Sequence, residues 1–488
     1  MSSLLHHLDR HAAAHPDRVF VEGADGVTTW GELAASTARL AAWLRGQGLG
    51  PGDRFAVLAK NRAEVVAAWL AACSTGAVVV PLNHRLQPPE LAWILADAGV
   101  VVTLVADGLT LEGATASLTD VAHAGPAPAR HDVPGGGPLI QMYTSGTTGR
   151  PKGALLGEAQ LLALVYAWLE EMPLLPADRT LQVTPLFHVG AVMMTLCNLV
   201  AGATLVLPIE FTPATALHAL SARGVTHTLL VPAMIRWLLL QPDLDAHPVT
   251  TLRALVYGAA PMPSALLAQV MTRFPCDLLQ GYGLTETAGV LTVLRPADHH
   301  VASRRLSAGQ PLSCCEVRVV RADGEIAPVG EPGEVEARGT NLLQGYHGLA
   351  ADTSMHEGWF CTGDVGYLDP DGYLFLVDRK KDMILVGGEN VYPSEVEAVI
   401  AEVPGVAEVA VIGVPHEVFG ESVHAVVVAP DAGDDLRRLV IRACRAGLAR
   451  YKCPTSVEVV AALPRNAAGK VLKAELRRPF WEGRERNI

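Results

Sequence analysis

One segment of the sequence has residue types suited to binding phosphate groups. Residues 143–153 read YTSGTTGRPKG and follow an apolar run that predicts a β-strand. Small hydroxyl residues and glycines let the backbone approach an anion closely, and Lys152 adds a positive charge. The segment is not a Walker A motif, because Gly153 follows Lys152 and the glycine spacing differs. A flexible surface loop is the alternative, but this ordered run with one lysine favours a polyphosphate cradle.

Five further segments are rich in charged or hydroxyl residues, and four of them also contain glycine. They are GYGLTE (281–286), CTGD (361–364), DRKKD (378–382), GGENVYPSEVE (387–397) and PRNAAGKVLK (464–473). Taken singly, their charged residues have ordinary interpretations: Glu286 as a carboxylate at a helix N-terminus, Asp364 as a turn residue, Arg379 in a surface ion pair and Lys470 as a solvated lysine. For Asp364 and Arg379, these ordinary interpretations are reasonable singly and weak jointly.

The elements that must position these residues alternate between strand and helix. Thr29 and Glu32 form a T-x-x-E pattern that predicts a capping box and a helix to about Arg45. Strands at 54–59, 77–82 and 101–106 alternate with helices at 63–73 and 88–98, and the pattern continues from the strand at 139–144. Such alternation predicts an α/β fold with layered, mostly parallel sheets and helices on both faces.

The pattern changes twice towards the C-terminus. Residues 304–378 show short alternating segments with turn signals, which predict a small antiparallel β subdomain. After residue 380, strands and helices form a compact α+β module of ordinary domain size. The predicted domains are therefore 1–379 and 380–488, with Lys470 in the second.

Composition limits the possible partners and location. The 488 residues include 38 Lys and Arg against 50 Asp and Glu, for a net charge of −12, which argues against nucleic acid. Eight scattered cysteines without metal-ligand spacing predict reduced thiols. No signal peptide and no apolar run of about 18 residues is apparent, so we expect a cytoplasmic protein without a transmembrane segment.

The six motifs, in this order and spacing, resemble those of the adenylate-forming superfamily. This superfamily contains acyl-CoA synthetases, adenylation domains of peptide synthetases and beetle luciferases, and the resemblance covers nearly the whole chain. The sequence looks most like bacterial fatty-acyl-CoA synthetases and aryl-CoA ligases. The resemblance implies a ligase that uses ATP, Mg²⁺ and coenzyme A to convert a carboxylic acid, through an acyl-adenylate, into a thioester.

The resemblance also implies roles for individual residues in nucleotide binding. Glu286 would coordinate Mg²⁺, Thr285 would contact the α-phosphate, and Tyr282 would stack on the adenine. Asp364 would accept hydrogen bonds from the ribose hydroxyls, with Arg379 completing the contacts to ribose and phosphate. The remaining nucleotide-binding residues would be Thr144, Ser145, Gly146, Thr147, Thr148, Gly149, Lys152, Gly258, Ala259, Ala260, Gln280, Gly281 and Gly283.

The small domain would serve the two half-reactions in turn. By resemblance, Lys470 bridges the carboxylate and the α-phosphate during adenylation. Rotation about a hinge at Lys381, with Lys380 and Asp382 as alternatives, would then present another face of the domain. Gly387 and Gly388 would line the tunnel for the pantetheine arm, where missing side chains leave room.

The acid itself is predicted to be apolar. The pocket residues by resemblance are nearly all apolar or small: His188, Val189, Val192, Met234, Tyr257, Gly283, Gly289 and Val290. Thr212 stands where peptide-synthetase domains commonly place an aspartate for an amino group, which disfavours an α-amino acid. Leu255 stands near the lysine of hydroxycinnamate ligases, which weakens a coumarate or ferulate assignment. Tyr257 would shorten the pocket, which favours medium-chain, branched or simple aryl acids.

Several alternatives remain open from the sequence. His188 is either a gate between the ATP site and the acyl tunnel or a satisfied buried histidine. The thiol acceptor is either coenzyme A or an acyl carrier protein, although no insertion of the kind usual in carrier-loading ligases is apparent near the domain junction. A luciferase-type oxygenase and an inactive nucleotide-binding scaffold are further alternatives; retention of Lys470, Glu286 and Asp364 argues against the scaffold.

Overall fold

The chain forms two compact units. The computed structural model describes residues 3–24, 26–133, 135–144, 151–260, 262–349, 354–379, 382–386, 389–417, 419–430, 435–465 and 471–482, with only the backbone of 378, 379, 389 and 390. The first unit comprises Met1–Val317 and Ala337–Phe360, and the second comprises Arg318–Glu336 and Cys361–Ile488. The domain boundary at residue 380 stays a prediction.

The α-helices of the described residues are spread over both units. In chain order they are α1 (Leu4–Ala14), α2 (Trp30–Gly46), α3 (Ala63–Thr75), α4 (Pro88–Ala98), α5 (Leu118–His123), α6 (Glu158–Glu171), α7 (Val189–Ala201), α8 (Pro213–Ala222), α9 (Pro232–Leu239), α10 (Ser264–Arg273), α11 (Pro393–Ala401), α12 (Leu436–Gly447) and α13 (Lys473–Trp481).

The strands are mostly short. In chain order they are β1 (Val19–Gly23), β2 (Gly26–Thr29), β3 (Arg54–Leu58), β4 (Val78–Pro81), β5 (Val100–Val105), β6 (Thr115–Ser117), β7 (Pro138–Thr144), β8 (Lys152–Gly157), β9 (Arg179–Leu181), β10 (Thr204–Leu207), β11 (His227–Leu230), β12 (Ala254–Gly258), β13 (Asp277–Tyr282), β14 (Thr292–Leu294), β15 (Gln310–Pro311), β16 (Cys315–Val320), β17 (Gly333–Gly339), β18 (Gly345–Tyr346), β19 (Met355–His356), β20 (Trp359–Leu368), β21 (Leu374–Arg379), β22 (Ile384–Val386), β23 (Glu389–Val391), β24 (Glu408–His416), β25 (Gly420–Val428) and β26 (Ser456–Val460).

Helix α2 begins with the capping box that the sequence predicts. Oγ1 of Thr29 accepts a hydrogen bond from the backbone N–H of Glu32 at 3.2 Å, and the Glu32 carboxylate accepts one from the N–H of Thr29 at 2.8 Å. These two bonds satisfy N–H groups that the first turn of a helix leaves without partners. The prediction is confirmed.

Two large sheets build the first unit. One has nine strands in the order β15-β14-β13-β12-β11-β9-β10-β1-β2, and the other has seven in the order β18-β8-β7-β4-β3-β5-β6. The inner pairs are parallel, whereas β2, β14 and β15 in one sheet and β8 and β18 in the other pair antiparallel. Parallel strands align their carboxyl ends, so residues that follow neighbouring strands meet at one edge of the sheet.

The other two sheets have five strands each. In one, the order is β16-β17-β20-β19, and β21 pairs antiparallel with β20. In the other, within the second unit, the order is β23-β22-β25-β24, and β26 pairs parallel with β25. The latter sheet packs with α11 and α12 around a core that includes Ile384, Val411 and Val440. The predicted fold class, parallel-rich α/β sheets with antiparallel β structure and a small C-terminal α+β unit, is confirmed.

The structure also addresses two predictions from composition, the reduced cysteines and the absence of a transmembrane segment. All eight cysteines are free thiols, as predicted. Within the described ranges, no helix is both long and apolar enough to cross a membrane. The location of the protein in the cell stays a prediction.

Candidate active site

Predicted nucleotide-binding residues meet at the carboxyl ends of β12 and β13. The two strands are parallel neighbours, with Tyr257 opposite Gln280 and Gly258 opposite Gly281. A Cβ atom at Gly258 would lie 2.2 Å from the carbonyl oxygen of Gly281, so this close approach requires glycine. The structure therefore brings Gly258 and the following Ala259 and Ala260 beside the segment 280–283.

A tight turn after β13 places Glu286. Thr285–Thr287 form a single 3₁₀ turn, and Ala288 and Gly289 follow with φ of 55° and 129°, in or near the left-handed region. The backbone N–H of Leu343 donates a hydrogen bond of 2.8 Å to the carbonyl oxygen of Glu286. The Glu286 residue is only 8% exposed, so its carboxylate lies in a fixed and largely buried turn.

The Glu286 carboxylate joins two predicted motifs. Its Oε1 accepts hydrogen bonds from Oγ1 of Thr144 at 3.2 Å and from the hydroxyl of Tyr346 at 2.8 Å. Thr144 is the last residue of β7 and the first of the predicted phosphate-binding residues. The start of the predicted phosphate-binding segment and the GYGLTE motif therefore lie together in the structure. Tyr346 was not among the residues predicted from the sequence.

Lys152 lies at the other end of the predicted phosphate-binding segment, after residues 145–151. It is the first residue of β8, which pairs antiparallel with β7 so that Thr144 is opposite Lys152. Its Nζ lies 5.2 Å from the centroid of the Tyr346 ring. The two ends of segment 145–151 are therefore adjacent, with a lysine at one end and a buried carboxylate at the other.

These residues fit Mg²⁺ that arrives with a nucleotide. Among the residues that the structure describes, no cluster of three or more His, Cys, Asp or Glu side chains could hold a metal ion. Mg²⁺ prefers oxygen ligands and is commonly bound by one or two carboxylates together with substrate phosphates. Glu286, a single buried carboxylate beside the predicted phosphate-binding segment, fits a site of this kind.

Some of the predicted pocket residues are neighbours. A Cβ atom at Gly289 would lie 3.7 Å from both methyl groups of Val189, so the turn after Glu286 packs close to the start of α7. A Cβ atom at Gly281 would likewise lie 3.3 Å from a methyl group of Val290. Met234 and Tyr257 belong to a second apolar cluster around α8, α9 and α10. The structure thus places these residues in two groups, both bordering β12 and β13.

The hydroxyl of Tyr257 forms a hydrogen bond inside the protein. It lies 3.0 Å from Nε2 of His299, whose Nδ1 lies 2.9 Å from the carbonyl oxygen of Arg295. A carbonyl only accepts, so Nδ1 carries the proton and Nε2 accepts from the Tyr257 hydroxyl. Burial raises the pKa of Tyr257 and lowers the pKa of His299, which keeps both groups neutral. His299 lies 42 residues away, and no sequence signal indicated this contact.

Tyr257→Phe is therefore expected to change stability and not acid selectivity. The substitution leaves the buried Nε2 of His299 without its donor, at a cost of about 1–3 kcal/mol in the free energy of unfolding. Chemical denaturation measures this cost, and kcat/KM ratios over several acids should stay within about twofold. A marked change in those ratios would mean that the hydroxyl contacts the acid.

His188 is the N-cap residue of α7, and its Nε2 has no hydrogen-bond partner among the described residues. Burial, followed by the positive charge of Arg85, lowers the pKa of His188 to about 4. The imidazole is therefore neutral at neutral pH. A satisfied buried histidine is the weaker interpretation, because Nε2 lacks a partner in the described structure. The gating role stays a prediction.

The pKa of His188 predicts a pH dependence of stability. The unfolded chain takes up a proton at this residue near pH 6.5, whereas the folded chain resists protonation down to about 4. Stability is therefore lost as pH falls through this window. Between pH 7 and pH 5, the free energy of unfolding should fall in the wild type by about 2 kcal/mol more than in His188→Leu. Urea denaturation at both pH values measures the difference, and equal losses in the two proteins would contradict the prediction.

In the second unit, Asp364 lies on β20 opposite the backbone of Arg379 on β21. Asp364 is 5% exposed, and its backbone N–H donates to Oγ1 of Thr362 at 3.1 Å. The Thr362 hydroxyl in turn donates to the carbonyl oxygen of Val335 at 2.7 Å. Two residues that were predicted to bind ribose are therefore strand neighbours.

Several predicted residues lie outside the described ranges. These are Ser145, Gly146, Thr147, Thr148, Gly149, Lys381, Gly387, Gly388 and Lys470, together with the side chain of Arg379. The residues that flank Lys470 are described: Arg465 and Val471 form an antiparallel bridge, and Lys473 pairs with Glu397 at 2.7 Å. The two ends of the segment that contains Lys470 are therefore held side by side.

Parallel-rich α/β sheets followed by a small α+β unit match the fold of adenylate-forming enzymes. The family model described as AMP-binding enzyme matches residues 8–347, and the model of the AMP-binding enzyme C-terminal domain matches residues 395–470. The chain belongs to this family.

Known relatives cover nearly the full chain. A feruloyl-CoA synthase from Amycolatopsis sp is 40% identical over 96% of this chain and 98% of its own length. The fatty acid–[acyl-carrier-protein] ligase ScoC from Streptomyces coeruleorubidus is 36% identical, over 98% and 96%. The O-succinylbenzoate coenzyme A synthetase MenE from Bacillus subtilis, solved with ATP and magnesium ion, is 31% identical with a TM-score of 0.87, over 96% and 98%. These matches confirm the predicted superfamily, enzyme class and cofactors.

Proposed function

We propose that this enzyme converts an apolar carboxylic acid, either medium-chain, branched or simple aryl, into its coenzyme A thioester through an acyl-adenylate. The observation that carries the proposal is the contact between Thr144 and Glu286. It joins the phosphate segment to the predicted Mg²⁺ ligand, with Lys152 at the other end of the segment. These are the groups that an attack on the α-phosphate requires.

In the first half-reaction, a carboxylate oxygen of the acid attacks the α-phosphorus of ATP. The bond between the α-phosphorus and the bridging oxygen breaks, and pyrophosphate leaves. Lys152 stabilises the phosphate charge, Thr285 contacts the α-phosphate, and Lys470 brings the two negatively charged reactants together. When bound, Mg²⁺ held by Glu286 supplies neutralisation of the phosphate charge.

In the second half-reaction, a thiolate attacks the acyl carbonyl carbon and AMP leaves. We assign the pantetheine passage to Gly387 and Gly388, and the change between the two states to a hinge at Lys381. Asp364 and Arg379 hold the ribose in both states. The sequence motifs support these assignments, and the pairing of Asp364 with Arg379 across two strands is compatible with a shared ribose site.

The acid is proposed to be apolar because the polar side chains at positions 212 and 257 are uncharged and already bonded within the protein, and His188 is neutral. Oγ1 of Thr212 accepts the N–H of Thr215 at 3.1 Å and caps α8, so it leaves no anion for a substrate amino group. The Tyr257 hydroxyl is bonded to His299. Leu255 is fully buried in the same apolar cluster as Tyr257. This arrangement favours acids without charged or strongly polar groups beyond the carboxylate.

ATP–pyrophosphate exchange over a panel of acids tests the proposal. The panel should contain octanoate, a branched acid, benzoate, cinnamate, ferulate, palmitate and an α-amino acid. We expect exchange with the medium-chain, branched or simple aryl acids at a kcat/KM at least tenfold above palmitate and the α-amino acid, the order of discrimination that an apolar pocket achieves. Strongest exchange with ferulate or palmitate would overturn the acid assignment, and no exchange with any acid would overturn the activity.

An acyl carrier protein is a second candidate acceptor, favoured by the similarity to ScoC. Supplying the enzyme with ATP, a preferred acid and either coenzyme A or holo acyl carrier protein separates the two. Formation of acyl-CoA at a higher kcat/KM supports the main proposal. Preferential loading of the carrier would replace coenzyme A as the acceptor while leaving the adenylation step intact.

A further inference from the structure

Tyr346 stands between the two charged groups of the phosphate site. Its hydroxyl lies 2.8 Å from Oε1 of Glu286, and its ring centroid lies 5.2 Å from Nζ of Lys152. We infer that Tyr346 is a positioning residue that orients the Glu286 carboxylate for Mg²⁺ and keeps it apart from the Lys152 ammonium. The inference rests on the proposed function, since it concerns the same Mg²⁺ and phosphate groups.

The position of Tyr346 is fixed by its strand. In β18, Gly345 and Tyr346 pair antiparallel with Leu155 and Ala154 of β8, the strand that begins at Lys152. The backbone N–H of Gln344 donates to the carbonyl oxygen of Leu155 at 2.8 Å. Tyr346 is therefore attached to the same strand as Lys152, and its hydroxyl reaches over to the Glu286 turn.

The neighbouring His347 connects this strand to β3 and to helix α4 through hydrogen bonds. Its backbone N–H donates to the carbonyl oxygen of Gly153 at 2.8 Å. Its Nδ1 accepts from the Arg54 guanidinium at 3.0 Å, and its Nε2 donates to the carbonyl oxygen of Asp97 at 3.0 Å. A guanidinium only donates and a carbonyl only accepts, so these contacts determine the tautomer of His347. They leave little freedom for Tyr346 to shift along the strand.

The hydrogen bonds to Glu286 distinguish the two oxygens of its carboxylate. Within the described residues, both side-chain donors to this carboxylate, Thr144 and Tyr346, reach Oε1. Oε2 is then the oxygen available to a cation. Outer hydrogen bonds of this kind orient a metal ligand, and their removal typically costs 10–100-fold in metal affinity.

The Tyr346 ring also separates opposite charges. No ion pair joins Lys152 to Glu286 in the part of the chain that the structure describes, although both contact Tyr346. A direct ion pair would neutralise the carboxylate needed for Mg²⁺ and the ammonium needed for phosphate. The aromatic face attracts the ammonium, and the hydroxyl binds the carboxylate, so one side chain holds both groups in separate places.

Two substitutions separate the hydroxyl from the ring. Tyr346→Phe keeps the ring, and Tyr346→Leu removes both. We expect Tyr346→Phe to weaken Mn²⁺ binding to the enzyme–ATP complex about tenfold, measured by electron paramagnetic resonance, and to leave metal-free ATP affinity unchanged. Tyr346→Leu should weaken both Mn²⁺ binding and metal-free ATP binding, because Lys152 also loses its contact with the aromatic ring. In pyrophosphate exchange, the Mg²⁺ concentration for half-maximal rate should rise about tenfold in Tyr346→Phe, with the rate at saturating Mg²⁺ largely retained.

Tyr166→Phe is the matched control, since it removes a hydroxyl that contacts His7 at 3.0 Å. It should leave every one of these measurements within about twofold. Wild-type Mn²⁺ affinity in Tyr346→Phe would overturn the inference, and this variant decides alone if Tyr346→Leu does not fold. Glu286→Gln separates this failure from a failure of the proposed function: if Glu286→Gln also binds Mn²⁺ normally, the metal assignment itself is wrong.

Discussion

Replacing Glu286 by glutamine is expected to lower the rate of ATP–pyrophosphate exchange by about 10²–10³-fold, the usual effect of removing one electrostatic stabiliser of a transition state. The amide keeps the size of the side chain, and its oxygen can still accept from Thr144 and Tyr346. It supplies no negative charge to Mg²⁺, so the phosphate charge that develops during attack is poorly neutralised. Exchange kinetics with saturating acid measure the effect.

Glu158→Gln is the control for this substitution. Glu158 is partly buried, and among the described residues its carboxylate accepts a hydrogen bond of 2.6 Å from the backbone N–H of Leu4, which a glutamine oxygen can accept as well. We expect exchange within about threefold of the wild type in this variant. If Glu286→Gln also stayed within that range, Glu286 would not be the Mg²⁺ ligand and the proposed first half-reaction would need another cation site.

Replacing Lys470 by alanine is expected to abolish adenylation and largely spare the thioester step. Lys470 would neutralise charge as the carboxylate meets the α-phosphate, and loss of such a cation costs about 10²–10³-fold. In the thioester step the thiol attacks the carbonyl carbon and AMP leaves with the electrons of the broken C–O bond; no anion has to approach the phosphorus, so we expect this step to depend much less on the lysine. Exchange assays measure the first half-reaction, and acyl-CoA formation from supplied acyl-AMP measures the second.

Lys473→Ala provides the comparison, because Lys473 follows the same segment but pairs with Glu397 at 2.7 Å. It should change both half-reactions by less than about threefold. Equal losses of the two half-reactions in Lys470→Ala would contradict a role specific to adenylation. They would indicate instead that the substitution disturbs the small unit as a whole.

Local signals in the sequence predicted the elements well. Residues 88–98 were predicted as a helix and form α4 (Pro88–Ala98), because apolar side chains recur at helical spacing after a proline at the first position. The strand predicted at 54–59 became β3 (Arg54–Leu58), since strands buried in parallel sheets are continuous apolar runs. The motifs, through the family resemblance, named both Thr144 and Glu286 as site residues, and the structure places them within hydrogen-bond distance.

Contacts between distant residues left no such signal. Tyr346 reaches Glu286 across 60 residues, and Tyr257 reaches His299 across 42. Both contacts depend on strand register and on the direction of one hydroxyl group, which periodicity does not encode. For this reason Tyr257 was interpreted only by its size, whereas its hydroxyl partner emerged from the folded structure.

The second compact unit is built from two separate stretches of chain, with consequences for the exchange of modules between relatives. A fragment that begins at Cys361 would lack Arg318–Glu336. It would leave Thr362 without the Val335 carbonyl, 2.7 Å away, and the Leu368 carbonyl without the N–H of Gly330, 2.9 Å away. A chimera that takes the stretch from Cys361 onward from a second protein should therefore also take Arg318–Glu336 from it, because a crossover at Cys361 alone would divide these hydrogen bonds between two parents.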